Sequence, residues 1–589
     1  MCIRTEASDP VRRNWIVIAA VNCALFALLT IGARLDSLYA RPSKPSLSGI
    51  ITGTGIHSSG AMFIDIRFTN TGRGAAQSVR INEVEMRTSA GTGPVTDSVL
   101  SPALPLALGD LRVNVGITVR FFLSVPRTVN RFSIVENGTL QDSRGRTLQY
   151  SIAQATMVSF DPVFYVDGIN GNDSNPGNSS APWKTIQKAA DTIGPGDTVI
   201  VNAGTYDERV QVSRSGTQGS PMTFQAQGTV VMKGFTINAG FIKIDGFEVA
   251  NTTANGDDCD QAAIFSSGES NQVRNNYIHD VAAWGICLGG SSSFNGVIGN
   301  RIVHAGGVGI WAHGTDHVID SNDISRTVQY HSGWTNIPSW IDADGIYIDG
   351  MRLTISGNFV HDILITDPEN GDPHIDCLQV AQNARAIDIV YERNTCSIPQ
   401  LDAPRCFQAS MIAGSGGVQN FIIRNNIVLN MCRGFVIHGT AGSQVGVHIV
   451  NNTLYNLLDL GIDACNAPGI EVKNNIFHTI NQPYFTNVRD CSDYSGEQDL
   501  SSDVGNNLAY QTAGSPHPND IWGLDPLFVD AAAGNFHLQT CSPAIDAGVN
   551  LPIAFDDFDG LQRPVGGGID IGAFEYLPNA NPTVPVRKQ

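Results

Sequence analysis

A short phrase that keeps returning constrains this chain more than any other feature. Asn275-Asn276-Tyr277-Ile278 comes back as Gly299-Asn300-Arg301-Ile302, Ser321-Asn322-Asp323-Ile324 and Gly357-Asn358-Phe359-Val360. It continues as Arg393-Asn394, Asn425-Asn426-Ile427, Asn451-Asn452-Thr453-Leu454 and Asn474-Asn475-Ile476. The asparagines at 276, 300 and 322 are 24 and 22 residues apart, and those at 426, 452 and 475 are 26 and 23 apart. A second phrase follows most copies: Trp284-Gly285-Ile286, Val308-Gly309-Ile310, Asp344-Gly345-Ile346, Arg433-Gly434-Phe435 and Leu460-Gly461-Ile462. Self-similarity at such a period marks a repeat architecture, in which each unit buries its apolar face only against its neighbours.

The period selects the architecture. It is too short for a helix–helix repeat and suits one turn of three short strands and three bends. Runs such as Val447-His448-Ile449-Val450 alternate as strands do. An asparagine recurring at one bend can stack coil on coil, its amide donating to one neighbour and accepting from the other, with each bond contributing about 0.5–1.5 kcal/mol. The prediction is an all-β chain dominated by a right-handed parallel β-helix. On these two phrases, residues 165–510 resemble the pectate-lyase-like β-helix superfamily. The resemblance implies the fold; that superfamily spans lyases, hydrolases, epimerases and proteins without known chemistry.

The remainder divides around this solenoid. Arg12-Arg13 precede an uncharged apolar run from Trp15 to Gly32, so residues 1–35 read as a cleaved signal peptide or a signal anchor. Export to the cell surface or the extracellular space is expected, with membrane anchoring through 15–32 if the run is retained. Residues 36–46 read as a linker. In 47–160, Ile64, Ile66 and Phe68 alternate with polar neighbours, as do Val119, Phe121 and Leu123, which predicts a small β-sandwich. Phe68-Thr69-Asn70-Thr71-Gly72 resembles bacterial immunoglobulin-like modules. Residues 163–235 read as the entry to the solenoid, with Trp183, Ile186, Ala190 and Ile193 on one face of a capping helix. Residues 236–510 are the coils.

Residues 511–576 close the chain with Asp525-Pro526-Leu527-Phe528, Ser542-Pro543-Ala544-Ile545-Asp546 and Asp570-Ile571-Gly572-Ala573-Phe574, which resembles the tail region called choice-of-anchor Q. It is expected to plug the last coil. Residues 577–589 are Pro/Asn-rich and are predicted to be disordered. The chain carries a net charge of −19, which disfavours a nucleic-acid partner. It holds 11 cysteines; Cys396 with Cys406 and Cys465 with Cys491 are the candidate pairs, with buried free thiols as the alternative.

Three consecutive coils are enlarged. Between the asparagines at 322, 358, 394 and 426 lie 36, 36 and 32 residues. The extra residues fall at 326–341, 362–373 and 398–405, always between the asparagine phrase and the next strand. Long loops on one edge of a scaffold build sites. Tyr330, His331, Trp334 and Trp340 offer flat faces for sugar rings. The strands that follow carry the ionisable groups. Aligned on the second phrase, one column reads Asp344, Asp376, Gln408, Arg433, with Asp342, His374, Tyr347, Gln379 and Arg405 around it. Adjacent coils lie about 4.8 Å apart, so Asp344 and Asp376 should share either a proton or a cation.

These residues support three reactions and one rival. The first is Ca²⁺-assisted β-elimination on a uronate polysaccharide. In it Asp342, Asp344 and Asp376 hold the metal, and His374, Arg405, Arg433 or Tyr347 removes the proton α to the carboxylate. The resemblance implies a lysine or arginine base, yet no lysine occurs from 244 to 472. The second is glycoside hydrolysis with Asp344 and Asp376 as the carboxyl pair. The third is uronate epimerisation, suggested by Asp372-Pro373-His374, which resembles a motif of alginate epimerases but stands before its strand rather than closing it. The rival is a monomeric, non-catalytic surface scaffold that binds glycans.

Overall fold

The computed structural model describes residues 44–56, 62–88, 99–123, 131–153, 158–159, 163–254, 258–329, 341–370, 373–380, 383–398, 406–414, 416–438, 444–465, 467–487 and 503–578. The apolar leader, Tyr330, His331, Trp334, Trp340 and Arg405 lie outside them, as does the tail beyond 578. No helix among the described residues is long and apolar enough to cross a membrane. The chain forms two compact units, residues 1–162 and 163–589.

The first unit is a β-sandwich of a four-stranded and a five-stranded antiparallel sheet. Met62–Asn70 pairs with Gly116–Leu123 so that Ile64 lies opposite Phe121 and Ile66 opposite Val119. The alternation seen in sequence becomes the core: Ile64, Ile66, Phe68, Phe121 and Leu123 from one sheet meet Ile81, Val84, Ile134 and Ile152 from the other.

The second unit is a parallel β-helix. Each coil has three short strands, and each strand pairs in parallel with its counterpart one coil on. Ile264, Ile286, Ile310, Ile346, Leu378, Ser410, Phe435 and Ile462 succeed one another in the first sheet. Glu248, Tyr277, Arg301, Asp323, Phe359 and Thr395 do so in another. One continuous apolar core runs through the interior from Val166 to Ala509. Helix Ile186–Thr192 covers its start: Thr185 caps it by accepting from the Lys188 N–H, and Trp183, Ile186, Ala190 and Ile193 are buried beneath it.

The asparagine phrase forms a ladder inside the wall. The Nδ2 of Asn276 donates to Oδ1 of Asn300 at 2.9 Å, and the same bond continues through Asn322, Asn358, Asn394, Asn426, Asn452, Asn475 and Asn507. Asp520 ends it by accepting from the Asn507 N–H. The residue before each ladder asparagine turns the corner with positive φ, from 54° at Asn275 to 66° at Gly299. Asparagine and glycine tolerate that region best. A shorter ladder, Asn271–Asn295–His317, was not foreseen; its last rung is a histidine ring nitrogen.

Residues 525–576 do not plug the end. They lie along the side of four successive coils, and the corner asparagines supply the anchors. Asn425 Nδ2 donates to the Asp556 carbonyl, Asn451 Nδ2 to that of Asp570 and Asn474 Nδ2 to that of Val549. Arg424 pairs with Asp556 at 2.7 Å, and Arg563 with Glu575 at 2.6 Å, the latter pair fully buried. Beneath this region the outward column of the sheet becomes apolar, at Ile427, Ile476 and Leu508, and packs against Phe528, Phe536 and Phe574. Burying that column stabilises the lateral cover.

Cys396 and Cys406 do not pair with each other. Among the described residues the disulfides with both partners placed are Cys259–Cys287, Cys377–Cys396 and Cys406–Cys432. Cys396 and Cys406 therefore each have another partner, because stacking brings cysteines of neighbouring strands and coils closer than those ten residues apart in sequence. Cys465 is disulfide-bonded; Cys491 is outside the described residues.

Candidate functional site

All three enlarged connections fall at one corner of the solenoid. They join Asp323–Ser325 to Ile346–Met351, Phe359–His361 to Leu378–Val380, and Thr395–Ser397 to Gln408–Ile412. The strands they enter are stacked in the register read from sequence. Ile346 pairs with Leu378, Leu378 with Ser410, and Gln408 with Arg433. Immediately before the strand, the Gly345 N–H donates to the Asp376 carbonyl. Asp344, Asp376, Gln408 and Arg433 thus form one column, preceded on earlier coils by Trp284 and Val308.

Asp344 and Asp376 are fully buried. The Asp376 N–H donates to Asp344 Oδ1 at 2.9 Å. The other Asp344 oxygen and both Asp376 oxygens make no hydrogen bond of full geometry, nor does Gln379 Oε1 on the adjoining strand; the Gln408 side chain and N–H lie near enough to Asp376 to favour its charged form. Carboxylates can only accept, so the pair cannot satisfy itself as stacked amides do. Two charges one coil apart repel by roughly 3–4 kcal/mol at an effective dielectric of 20. Burial pushes the Asp344 carboxyl well above the usual carboxylate range, and the charges of Asp376 and Asp342 add to this. Burial does the same at Asp376, with Asp342 adding to it and Gln408 opposing it. Asp342 is raised by burial too, against the N–H it accepts from His374.

Around the pair the structure sorts the other candidates. His374 is the accessible one: its side chain is 63% exposed and its Nδ1 lies 3.9 Å from Asp342 Oδ2. Tyr347 faces outward beside the pair, and burial together with Asp344, Asp342 and Asp349 raises its phenol. Gln379 stacks on Tyr347, and Trp311 precedes it in the same outward row. Trp311 meets Tyr347 edge-on with ring centroids 5.1 Å apart, which supplies described aromatic faces at the corner. Gln408 sits between Asp376 and Arg433 in the column. The Arg433 guanidinium turns away, to Asp459 at 2.8 Å and Asp463 at 3.4 Å on the next coil.

Two further histidines on this sheet have carboxylate partners. His313 Nδ1 lies 3.7 Å from Asp349, and His438 Nε2 lies 3.3 Å from the buried Asp463. His313 and Asp349 are register partners, whereas Asp463 is in register with Val436 and reaches His438 diagonally.

The metal question divides in two. Among the described residues, the three His, Cys, Asp or Glu groups whose donor atoms all lie within 4.8 Å of one another are Cys259, Cys287 and His313. The two sulfurs there are joined as a disulfide and so are not thiolate ligands. Asp342, Asp344 and Asp376 do not converge that closely. The unsatisfied oxygens of Asp344, Asp376 and Gln379 are nevertheless a hard, all-oxygen donor set of the kind Ca²⁺ takes.

Comparison with known proteins gives the same architecture. Residues 164–305 match the family described as Pel9A-like, right handed beta helix region, which fixes the hand of the solenoid. The uncharacterized protein YwoF of Bacillus subtilis (strain 168) is 26% identical over 451 residues, covering 64% of this chain and 90% of that protein. A lacto-N-biosidase of Bifidobacterium longum subsp. longum is 35% identical over 81 residues, 13% of this chain and 5% of that protein. Among solved structures, pectate lyase Pel9A is 18% identical with a TM-score of 0.40, covering 71% of this chain and 97% of that one. XylC in complex with xylose is 12% identical with a TM-score of 0.45, covering 70% and 98%.

Proposed function

We propose that this chain acts on extracellular polysaccharide, as a Ca²⁺-assisted lyase of uronate polymers working at the corner of the three enlarged coils. The observation that carries this reading is the stacked pair Asp344 and Asp376, with three unsatisfied carboxylate oxygens beneath that corner. Such oxygens call for a cation, a proton or substrate hydroxyls. The matched family model bears the name of a pectate lyase, which agrees with the class.

Asp344, Asp376 and Gln379 would hold the ion, with Asp342 at the margin. Bound there, Ca²⁺ would offset the substrate carboxylate and acidify the adjoining carbon. His374 is the base: it is exposed, no cation among the described residues pairs with it, and Asp342 holds its backbone and faces its ring. Its free nitrogen takes the α-proton, the C–H electron pair becomes the new C=C bond, and the β C–O bond breaks toward the leaving sugar. Arg433, tied to Asp459 and Asp463, stays a cation and serves as a charge partner for the polymer rather than as the base. Trp311 and Tyr347 supply ring-stacking faces.

One observation favours a second reading. Burial holds Asp344 and Asp376 toward their neutral forms, as a hydrolase's general acid requires. Purified protein incubated with a panel of uronate polysaccharides, with Ca²⁺ or with chelator, separates the two. Metal-dependent ultraviolet absorbance from unsaturated ends is the result expected of the lyase. Reducing ends without that absorbance assign hydrolysis, and binding with neither product assigns a non-catalytic glycan scaffold.

A further inference from the structure

On another outward face of the solenoid, three histidines share one arrangement. His279 places Nδ1 2.7 Å from Asp280 and Nε2 3.2 Å from Glu248. His304 places Nδ1 2.7 Å from the other Asp280 oxygen and Nε2 2.6 Å from Glu369. His361 places Nδ1 2.7 Å from Asp362 and Nε2 3.0 Å from Asp323. A neutral imidazole has one N–H, so it can donate to only one of two carboxylates. Only the doubly protonated ring donates to both. Aromatic partners fix two of the rings: Tyr277 stacks on His279 at 4.3 Å and Phe359 on His361 at 4.0 Å.

Two of the six carboxylate contacts belong to one connection. Asp362 and Glu369 bracket the enlarged segment 362–370, which comes immediately before His374 and Asp376 in the chain. Glu369 does not extend into a cleft; it reaches back to His304, two coils earlier. Asn370 Oδ1 accepts from the Gln329 N–H at 2.6 Å, and Gln329 Nε2 donates to the Ile341 carbonyl. The segment is therefore strapped to the coil of His304 and to the stretch that leads into Asp342 and Asp344.

We infer that His304 with Glu369, and His361 with Asp362, form a proton-dependent latch that holds segment 362–370 against the coils and so positions His374 and Asp376. The positioning role rests on the reading that those two residues act on substrate; the latch itself does not. Among the described residues, the charged groups facing His304 are Asp280 on strand Tyr277–Val281 and Glu369 on the strap; behind Asp280 stand His279 and Glu248. Arg301, on the strand of His304, is engaged over the Tyr277 ring. At His361, burial works against the charged ring, yet Asp323 and Asp362 outweigh it and hold the imidazole above its usual value. The sign follows at His361: its contacts to Asp323 and Asp362 hold while that ring is protonated and loosen as pH rises through its raised range. At His304 both carboxylate contacts can be hydrogen bonds only with an N–H on each ring nitrogen.

Amide hydrogen exchange on the full protein without substrate tests this. Segment 362–370 has its own amide bonds to report, from Asp367 to Leu364 and from Asn370 to Asp367. After correction for intrinsic rates, wild-type exchange in 362–370 should rise at least about tenfold between pH 5.5 and 8, an opening difference of roughly 1.4 kcal/mol. Residues 373–378 should follow. Glu369→Gln should exchange fast at both values, and Glu369→Asp should restore part of the pH step. Exchange in 362–370 that ignores pH and Glu369→Gln alike overturns the latch. Opening of 362–370 with 373–378 still protected overturns the positioning role. A latch that switches in a protein that turns over no polymer leaves this inference standing and removes the proposed activity instead.

Discussion

The solenoid stacks like on like in two places, with opposite chemical outcomes. In the ladder from Asn276 to Asn507, each amide donates to the next and accepts from the one before, and also donates to a carbonyl on the neighbouring coil. In the column of Asp344 and Asp376, the same one-coil spacing sets acceptor against acceptor and leaves three oxygens unsatisfied. Identical geometry is self-satisfying for a side chain with both donor and acceptor, and self-frustrating for one with acceptors alone. The ladder holds the coils together; the carboxyl column needs something from outside, and that need marks it as the candidate site.

Breaking the ladder should have the largest effect. Asn394→Ala removes the acceptor for two Asn358 donors and the donor to the Ile355 carbonyl and Asn426. Buried groups left unpaired cost about 1–3 kcal/mol each, so a loss of about 3–5 kcal/mol is expected in equilibrium denaturation. Turning the carboxyl column into a ladder sharpens the comparison. Asp376→Asn should raise stability at pH 7 by about 1–2 kcal/mol, because it removes a buried repulsion and supplies a donor. The same change should abolish turnover, measured as product formation on the responsive polymer.

The third expectation is in pH. Asp344 and Asp376 have folded values raised above their unfolded ones. Their contribution is therefore fully present below the unfolded carboxyl range and is lost as pH rises through the folded values. The stability of wild type relative to Asp344→Asn/Asp376→Asn should fall steadily with rising pH; a flat difference would mean the pair is satisfied by other means. The smallest effect concerns the lateral cover. Burial lifts Asp570 to about 7, with Glu575 adding and Arg563 opposing. By the same sign, docking of 525–576 should loosen slightly as pH passes about 7, seen as faster amide exchange there, and Asp570→Asn should remove that step.

Much of this was legible from the chain because a repeat turns sequence spacing into spatial register. The ladder asparagines, the alternating core of the sandwich, the capping helix face and the column 344–376–408–433 all follow from periods of two or of one coil. Even the lateral cover leaves a trace: where it docks, corner residues read Asn425, Asn451 and Asn474, and outward positions turn to Ile427 and Ile476. The disulfides were illegible because spacing along the chain says nothing about which coil edges meet. The fate of the enlarged connections was equally hidden, since nothing local says that Glu369 turns back to His304 rather than out toward solvent.

The sequence alone determined the solenoid and the stacking of its polar columns, because a fixed number of residues per coil leaves backbone pairing one register in which every apolar face is buried. Only the tertiary structure decided which of those columns is satisfied, which histidines carry two carboxylates and where residues 525–576 lie. Those outcomes depend on the direction a side chain takes once the coils are stacked, and on burial, which changes the protonation of Asp344 and Asp376 without changing a letter of the chain.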